Sequence, residues 1–363
     1  MFFIKNSIKL KKSNFFFCLF KYNDVTLPPL KTLIEMDTSV RYMGRTIKSP
    51  IIAGSCGKTA IVDNVKKLED AGVGAVILKS LFEEQVTQEI SSNVLSAQNT
   101  GEFFEAYNYI AEHTKHNQLN NYLELIRKSK ECVDVPIIAS INCVSASEWL
   151  QFAQSIQQAG ADGIELNMFI MPSNINVSTE DVDQVYENTL QILKRAVPSL
   201  PISLKISSYS ASLAKLCQKL SWMGISALSI FNRFIEHDID IDTQTVKPIN
   251  ILSDEKELYN TIRWTAILSK LINCPLTAGG GVHKPEDPIK LILAGANTVQ
   301  VVSALYEQDF SFITKANEFL KNWMEKNSYN RLSDFKGRLS IDKNSTVSAF
   351  YRVQYMKYYA GIE

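Results

Sequence analysis

The chain has 363 residues, 45% of them hydrophobic, and its 38 basic and 38 acidic residues give a formal net charge of zero. That balance leaves no overall field to attract nucleic acid or an anionic membrane, so neither is expected as a partner. The six cysteines (Cys18, Cys56, Cys132, Cys143, Cys217 and Cys274) form no CxxC pair. They read as free thiols of a reducing, cytoplasmic setting, with no metal or iron–sulfur centre.

The first 35 residues differ from the rest. Five lysines and no acidic residue precede Asp24, and phenylalanines cluster at Phe2-Phe3 and Phe15-Phe16-Phe17. A targeting segment is one reading, but the apolar run Phe15 to Phe20 is too short for a signal-peptide core and no small-residue cleavage site follows it. The preferred reading is a start at Met36, with residues 1–35 as a poorly ordered extension and 36–363 as a single domain.

From Pro50 onward two kinds of short apolar run alternate. Four begin with proline: Pro50-Ile-Ile-Ala53, Pro136-Ile-Ile-Ala-Ser140, Pro201-Ile-Ser-Leu-Lys205 and Pro275-Leu-Thr-Ala278. Four follow an Ala-Gly or Met-Gly step: Ala75 to Lys79, Gly163 to Asn167, Ala227 to Asn232 and Thr298 to Ser303. Near-continuous apolar runs separated by helix-length amphipathic segments are the pattern of parallel strands buried on both faces. Eight of them predict an α/β fold, a (β/α)8 TIM barrel with long βα-loop insertions. The insertions are Leu81 to Val135, with a helix predicted from Leu119 to Lys130, and Glu236 to Leu252. In the latter, Asp238, Asp240 and Asp242 alternate with apolar residues and predict an exposed edge strand or hairpin rather than a metal site.

Chemistry in this architecture gathers at the C-terminal strand ends, and these are polar here. Strand two ends in Lys79-Ser80, strand three in Asn142-Cys143, strand four in Asn167, and strand five in Lys205. Strand six ends in Asn232-Arg233, strand seven in Gly279-Gly280-Gly281 and strand eight in Ser303. Consecutive glycines let backbone N–H groups approach an anion, so Gly280 and Gly281 predict a phosphate site together with the end of strand eight. Two lysines at one mouth predict an anionic or electron-rich group between them. A flavin fits; a Schiff-base role for Lys205 is the competing reading.

Taken together, Ser49-Pro-Ile-Ile-Ala-Gly-Ser-Cys-Gly57, Gly74-Ala-Val-Ile-Leu-Lys-Ser80, Ile164-Glu-Leu-Asn167, Ile202-Ser-Leu-Lys205, Gly280-Gly-Val282 and Asp334-Phe-Lys-Gly-Arg-Leu339 resemble the dihydroorotate dehydrogenase family, from about Val40 to Lys357. The resemblance implies FMN as cofactor and a small pyrimidine-like substrate oxidised at a CH–CH bond. It implies flavin contacts from Ala53, Gly54, Ser55, Lys79, Ser80, Asn142, Asn167, Lys205, Gly280, Gly281, Val302 and Ser303. Lys79, Asn167, Asn232 and Arg233 are expected at the substrate, and Lys79, Asn167 and Lys205 as the catalytic set. A homodimer through the aromatic C-terminal helix, Ala349 to Tyr359, is a further expectation, as is an acceptor among fumarate, a quinone, or NAD reached through a separate subunit.

The sequence also departs from the family. The base expected a few residues after Asn167 is a cysteine or serine, whereas Met168-Phe-Ile-Met-Pro172 follows here, and Ser173 or Cys143 would have to replace it. The loop Asn250-Ile-Leu-Ser-Asp254 lacks the family's glycines, Val302 stands where a glycine is expected, and Tyr107, Asn108 and Asn117 match no substrate motif. A changed substrate follows as an expectation, with a flavin-binding sensor or accessory protein as the alternative.

Overall fold

Eight parallel strands close into a ring. The computed structural model describes residues 36–82, 103–142, 146–168, 170–342 and 347–360, so the expectations for residues 1–35, Cys18 and Cys143 fall outside the described residues. The barrel strands are Ile51–Ala53, Val76–Ile77, Ile137–Asn142, Gly163–Asn167, Ile202–Ile206, Ala227–Ile230, Leu276–Gly279 and Thr298–Val301. Each is parallel to the next, and the last returns to the first with Val299 opposite Ile51 and Val301 opposite Ala53.

The glycine steps that punctuate the sequence have a common cause. Gly72, Gly160, Gly224 and Gly295 all take positive φ just after a helix, where the chain turns from the helix into the next strand. Other boundaries are set by capping: Ser178 Oγ accepts from Asp181 N at 3.1 Å while the Asp181 carboxylate accepts from Ser178 N at 2.9 Å, fixing the start of helix Thr179–Ala196.

Two expectations are corrected. Helix Phe103–Cys132 starts well before Leu119 and so takes up part of the anticipated loop, including Tyr107 and Asn108. The stretch from Phe103 to Gln118 has neither glycine nor proline to stop it. The second strand does not run to Lys79: pairing ends at Ile77, and Leu81–Phe82 forms a separate segment opposite Ile141 and Asn142. Between the two, Ser80 directs its N–H to Ser55 Oγ at 2.8 Å, which takes it out of the sheet. The Glu236–Asp240 and Thr245–Ile249 strands form the predicted exposed hairpin.

The barrel floor is plugged by an antiparallel hairpin, Val40–Tyr42 with Arg45–Ile47. Tyr42, Met43 and Ile47 pack with Ile52, Ala75, Ile77, Ile138 and Ala227 in an apolar layer inside the ring. Gly163 makes room for this plug, because a Cβ there would lie 2.6 Å from Met43 Cε. The larger apolar core lies between strands and helices, where each fully buried Leu, Ile or Phe contributes about 1.5–3 kcal/mol. Cys56, Cys132, Cys217 and Cys274 are free, and burial pushes the Cys274 thiol up to about 12.

One buried carboxylate ties the floor together. Asp162 accepts from Ile137 N at 2.8 Å, pairs with Lys130 at 2.7 Å and with Arg45 at 2.8 Å, joining the third strand, the long helix and the plug. Asp162→Ala is therefore expected to lower stability by about 2–3 kcal/mol, since it strands a buried N–H and releases two cations. Urea unfolding checks this, and an unchanged midpoint would show that the plug is held by its apolar contacts alone.

Candidate active site

The interior alternates out of the apolar floor into a polar layer. Ser203, Ser229, Glu165 and Gln300 come from strands five, six, four and eight, and all are buried. Glu165 Oε2 accepts from Ser229 Oγ at 2.8 Å and from Gln300 Nε2 at 2.7 Å. Its other oxygen has no hydrogen-bond partner and lies 4.0 Å from Lys205 Nζ. Below, burial foremost and then the charge of Glu165 hold the Tyr42 phenol well above its ordinary value.

Above that layer a cavity of about 590 Å³ opens at the C-terminal strand ends. Lys79, Asn167 and Lys205 line it together with Ser55, Ser80, Asn232 and Arg233. The loops after strands seven and eight add Gly280, Gly281, Val302 and Ser303. Ala53, Gly54 and Asn142 are not among its lining residues: Ala53 and Asn142 are buried in their strands, and a Cβ on Gly54 would lie 2.6 Å from Val302 Cγ2. Ser173 is exposed on its loop and lies outside the lining as well.

The polar side chains are pre-ordered. Ser80 Oγ lies 3.0 Å from Ser55 Oγ and 2.6 Å from Ser140 Oγ, and it accepts from Asn167 Nδ2 at 3.3 Å. Asn232 Nδ2 donates to Asn167 Oδ1 at 2.6 Å. Lys205 is 14% exposed at its side chain, whereas Lys79 is exposed at the rim. Arg233 lines the cavity but is largely engaged: its Nε donates to Glu257, and its terminal nitrogens to the carbonyls of Ile251 and Asn250. It thereby clamps the base of the exposed hairpin.

The glycine turn is close-packed. Gly280 and Gly281 have φ of +93° and +71°, and a Cβ on Gly281 would lie 2.2 Å from Leu258 N. Ser253, from the 250–254 loop, donates its N–H to Ser303 Oγ at 2.9 Å. Sequence reasoning passed over Glu165, Gln300, Ser253, Cys56 and Tyr306. For Glu165 and Gln300 the signal was available, as polar residues at inward positions of otherwise apolar strands.

The profile of the dihydroorotate dehydrogenase family matches residues 38–324. The chain belongs to that family. It is 22% identical to the catalytic subunit of dihydroorotate dehydrogenase B (NAD(+)) of Pyrococcus furiosus, over 83% of this chain and 98% of that one. It is 26% identical to dihydroorotate dehydrogenase A (fumarate) of Lactobacillus delbrueckii subsp. bulgaricus, over 60% of this chain and 72% of the other. A third relative, the NAD-dependent dihydropyrimidine dehydrogenase subunit PreA of Escherichia coli K12, is 23% identical over 84% of this chain and 77% of its own length. The protein is thus a dihydroorotate dehydrogenase-like oxidoreductase of the flavin-dependent class acting on CH–CH bonds, in a family that generally binds FMN. Among the described residues no helix is long and apolar enough to cross a membrane.

Removing the Glu165 carboxylate leaves Gln300 and Ser229 without their acceptor and Lys205 without its counter-charge. Glu165→Ala is expected to destabilise the fold by about 3 kcal/mol, measured by thermal or urea unfolding. A variant as stable as the parent would mean that Lys205 is neutralised from elsewhere.

Proposed function

We propose that the cavity binds FMN and that the protein uses it to transfer hydrogen at a CH–CH bond of a small pyrimidine-like ring other than dihydroorotate. The observation that carries this reading is the Lys205 ammonium held at the cavity wall above a buried carboxylate that offers it no hydrogen bond. Lys205 lines the cavity, where an electron-rich ring edge would receive its N–H donors.

The residues present fit the cofactor. Lys79 and Lys205 supply positive charge, and the glycine turn, held so close to the Leu258 backbone that Gly281 admits no Cβ, lines the cavity together with Ser303. When bound, the flavin supplies two-electron redox chemistry. Asn167 and Asn232, locked to each other, would orient the amide edges of a planar ring, and Phe231 adds an apolar wall. Arg233 acts mainly by holding the hairpin base beside this wall.

The altered substrate rests on the loop after strand four. Met168 is buried there, and Ser207 Oγ donates to the Ile170 carbonyl at 3.2 Å, fixing the loop with Ser173 directed to solvent. The Cys56 thiol and the Tyr306 hydroxyl at the cavity come instead from the loop after strand one and the short helix after strand eight. A ring that loses its proton on the strand-four side is poorly served by this arrangement.

The purified protein is expected to be yellow with an oxidised-flavin spectrum. Lys205→Ala should lower FMN affinity about tenfold, the loss of one charge-assisted contact. Anaerobic addition of dihydroorotate should leave the flavin oxidised. A colourless protein that takes up no FMN would sink the cofactor assignment, and bleaching by dihydroorotate would sink the altered substrate.

A further inference from the structure

His283 follows the glycine turn and is buried at its side chain, outside the residues that line the cavity. Its Nε2 lies 3.0 Å from Ser253 Oγ, and its Nδ1 lies 2.8 Å from Glu307 Oε2. Ser253 Oγ in turn donates to Ser303 Oγ at 2.8 Å. The four side chains form a continuous line from the surface to the cavity. We propose that protonated His283, braced by Glu307, aims the Ser303 hydroxyl into the cavity as a donor to a ligand phosphate, and that the neutral imidazole reverses it.

The argument is one of donor and acceptor counts. A serine hydroxyl has one proton and two lone pairs. Ser303 Oγ accepts from both Ser253 N and Ser253 Oγ, so its remaining capacity is a proton for an acceptor in the cavity. Ser253 has spent its only proton on Ser303 and can therefore only accept from His283, which requires a proton on Nε2. A carboxylate only accepts, so Nδ1 must carry a proton for Glu307 as well. The observed chain is satisfied when the imidazole is doubly protonated.

Loss of one proton reverses the line. Glu307 retains the Nδ1 proton, Nε2 becomes an acceptor, and the Ser253 hydroxyl turns to it. Ser303 then donates to Ser253 and presents lone pairs to the cavity, which repel an anion. The main chain that carries the ring is fixed, with Asp287 accepting from the His283 backbone N–H at 3.0 Å and Gln308 Nε2 donating to its backbone carbonyl at 2.7 Å.

The other charged groups around it are largely paired. Asp287 pairs with Lys290, Lys284 with Glu255, Glu257 with Arg233, and Asp309 with Lys58. Asp254, on the same loop as Ser253, accepts from Lys256 N. Glu307 is the carboxylate in contact with the ring.

The inference rests on the flavin reading and deepens it: the phosphate end of the site becomes sensitive to the proton held by the His283 ring. The test compares dissociation constants of FMN and riboflavin, by quenching of flavin fluorescence, from about pH 5 to about pH 8. The ratio isolates the phosphate, and the phosphate's own second ionisation acts equally on every variant. In the parent protein, preference for FMN over riboflavin is expected to fall about tenfold from the acid to the alkaline end, the scale of one charge-assisted hydrogen bond. In His283→Gln that fall should disappear, and in Ser303→Ala the preference should be low and follow only the phosphate's own ionisation. Parallel pH profiles in parent and His283→Gln, or a parent-like slope in Ser303→Ala, would overturn the switch alone. Absence of any flavin binding by the parent would overturn the cofactor assignment, and the switch with it.

Discussion

A carboxylate enclosed by the barrel governs the height and charge of everything above it. Burying Glu165 is costly, and the cost is met only because donors arrive from two other strands, Ser229 and Gln300, while a cation from a third stands over its remaining oxygen. Strands four, five, six and eight are thereby tied at one level of the ring. Lys205 consequently sits where the apolar floor has ended and the cavity begins. An ammonium that is partly desolvated and only ionically paired keeps its donors for a ligand, which a fully hydrogen-bonded lysine would not.

The amide and hydroxyl wall follows a different logic. Asn167 uses its oxygen for Asn232 and its nitrogen for Ser80, so its orientation is set by neighbours on strands two and six before any ligand arrives. Ser80 reaches that position only because its backbone leaves the second strand for Ser55. The break in the strand and the order of the wall are therefore one event. Little rotamer freedom remains to be lost on binding.

Much of the barrel was legible because its punctuation is physical. Proline can begin a strand, glycine with positive φ ends a helix, and both are visible in sequence. The hairpin with Asp238 and Asp240 was legible from strict alternation. The interruption at Leu78 to Ser80 was not, since it depends on a hydroxyl from a loop more than twenty residues earlier. Glu165 and Gln300 were visible yet passed over, because runs such as Gly163 to Asn167 read as apolar when their inward and outward positions are not separated. His283 and Glu307 carry no local signature at all. They meet because the last strand returns the chain to the glycine turn.

The residues proposed for the cofactor and the segment proposed to change the substrate sit on separate elements, a separation that would let one be kept while the other changes. The cationic and glycine-rich contributions come from strands two, five, seven and eight, whereas the divergent segment Met168 to Ser173 follows strand four. No described residue of that loop lines the cavity, and Lys205 is set independently of it, because Glu165 and its donors fix the lysine from below. Loops on a rigid ring can exchange residues independently for this reason. The loop after strand four here is itself tied down, by the Ser207 hydroxyl on the Ile170 carbonyl. Two lysines and a glycine turn at one cavity, beside a segment after strand four, Met168 to Pro172, without a proton-accepting side chain, are what the proposed reading of a kept cofactor and a changed substrate requires.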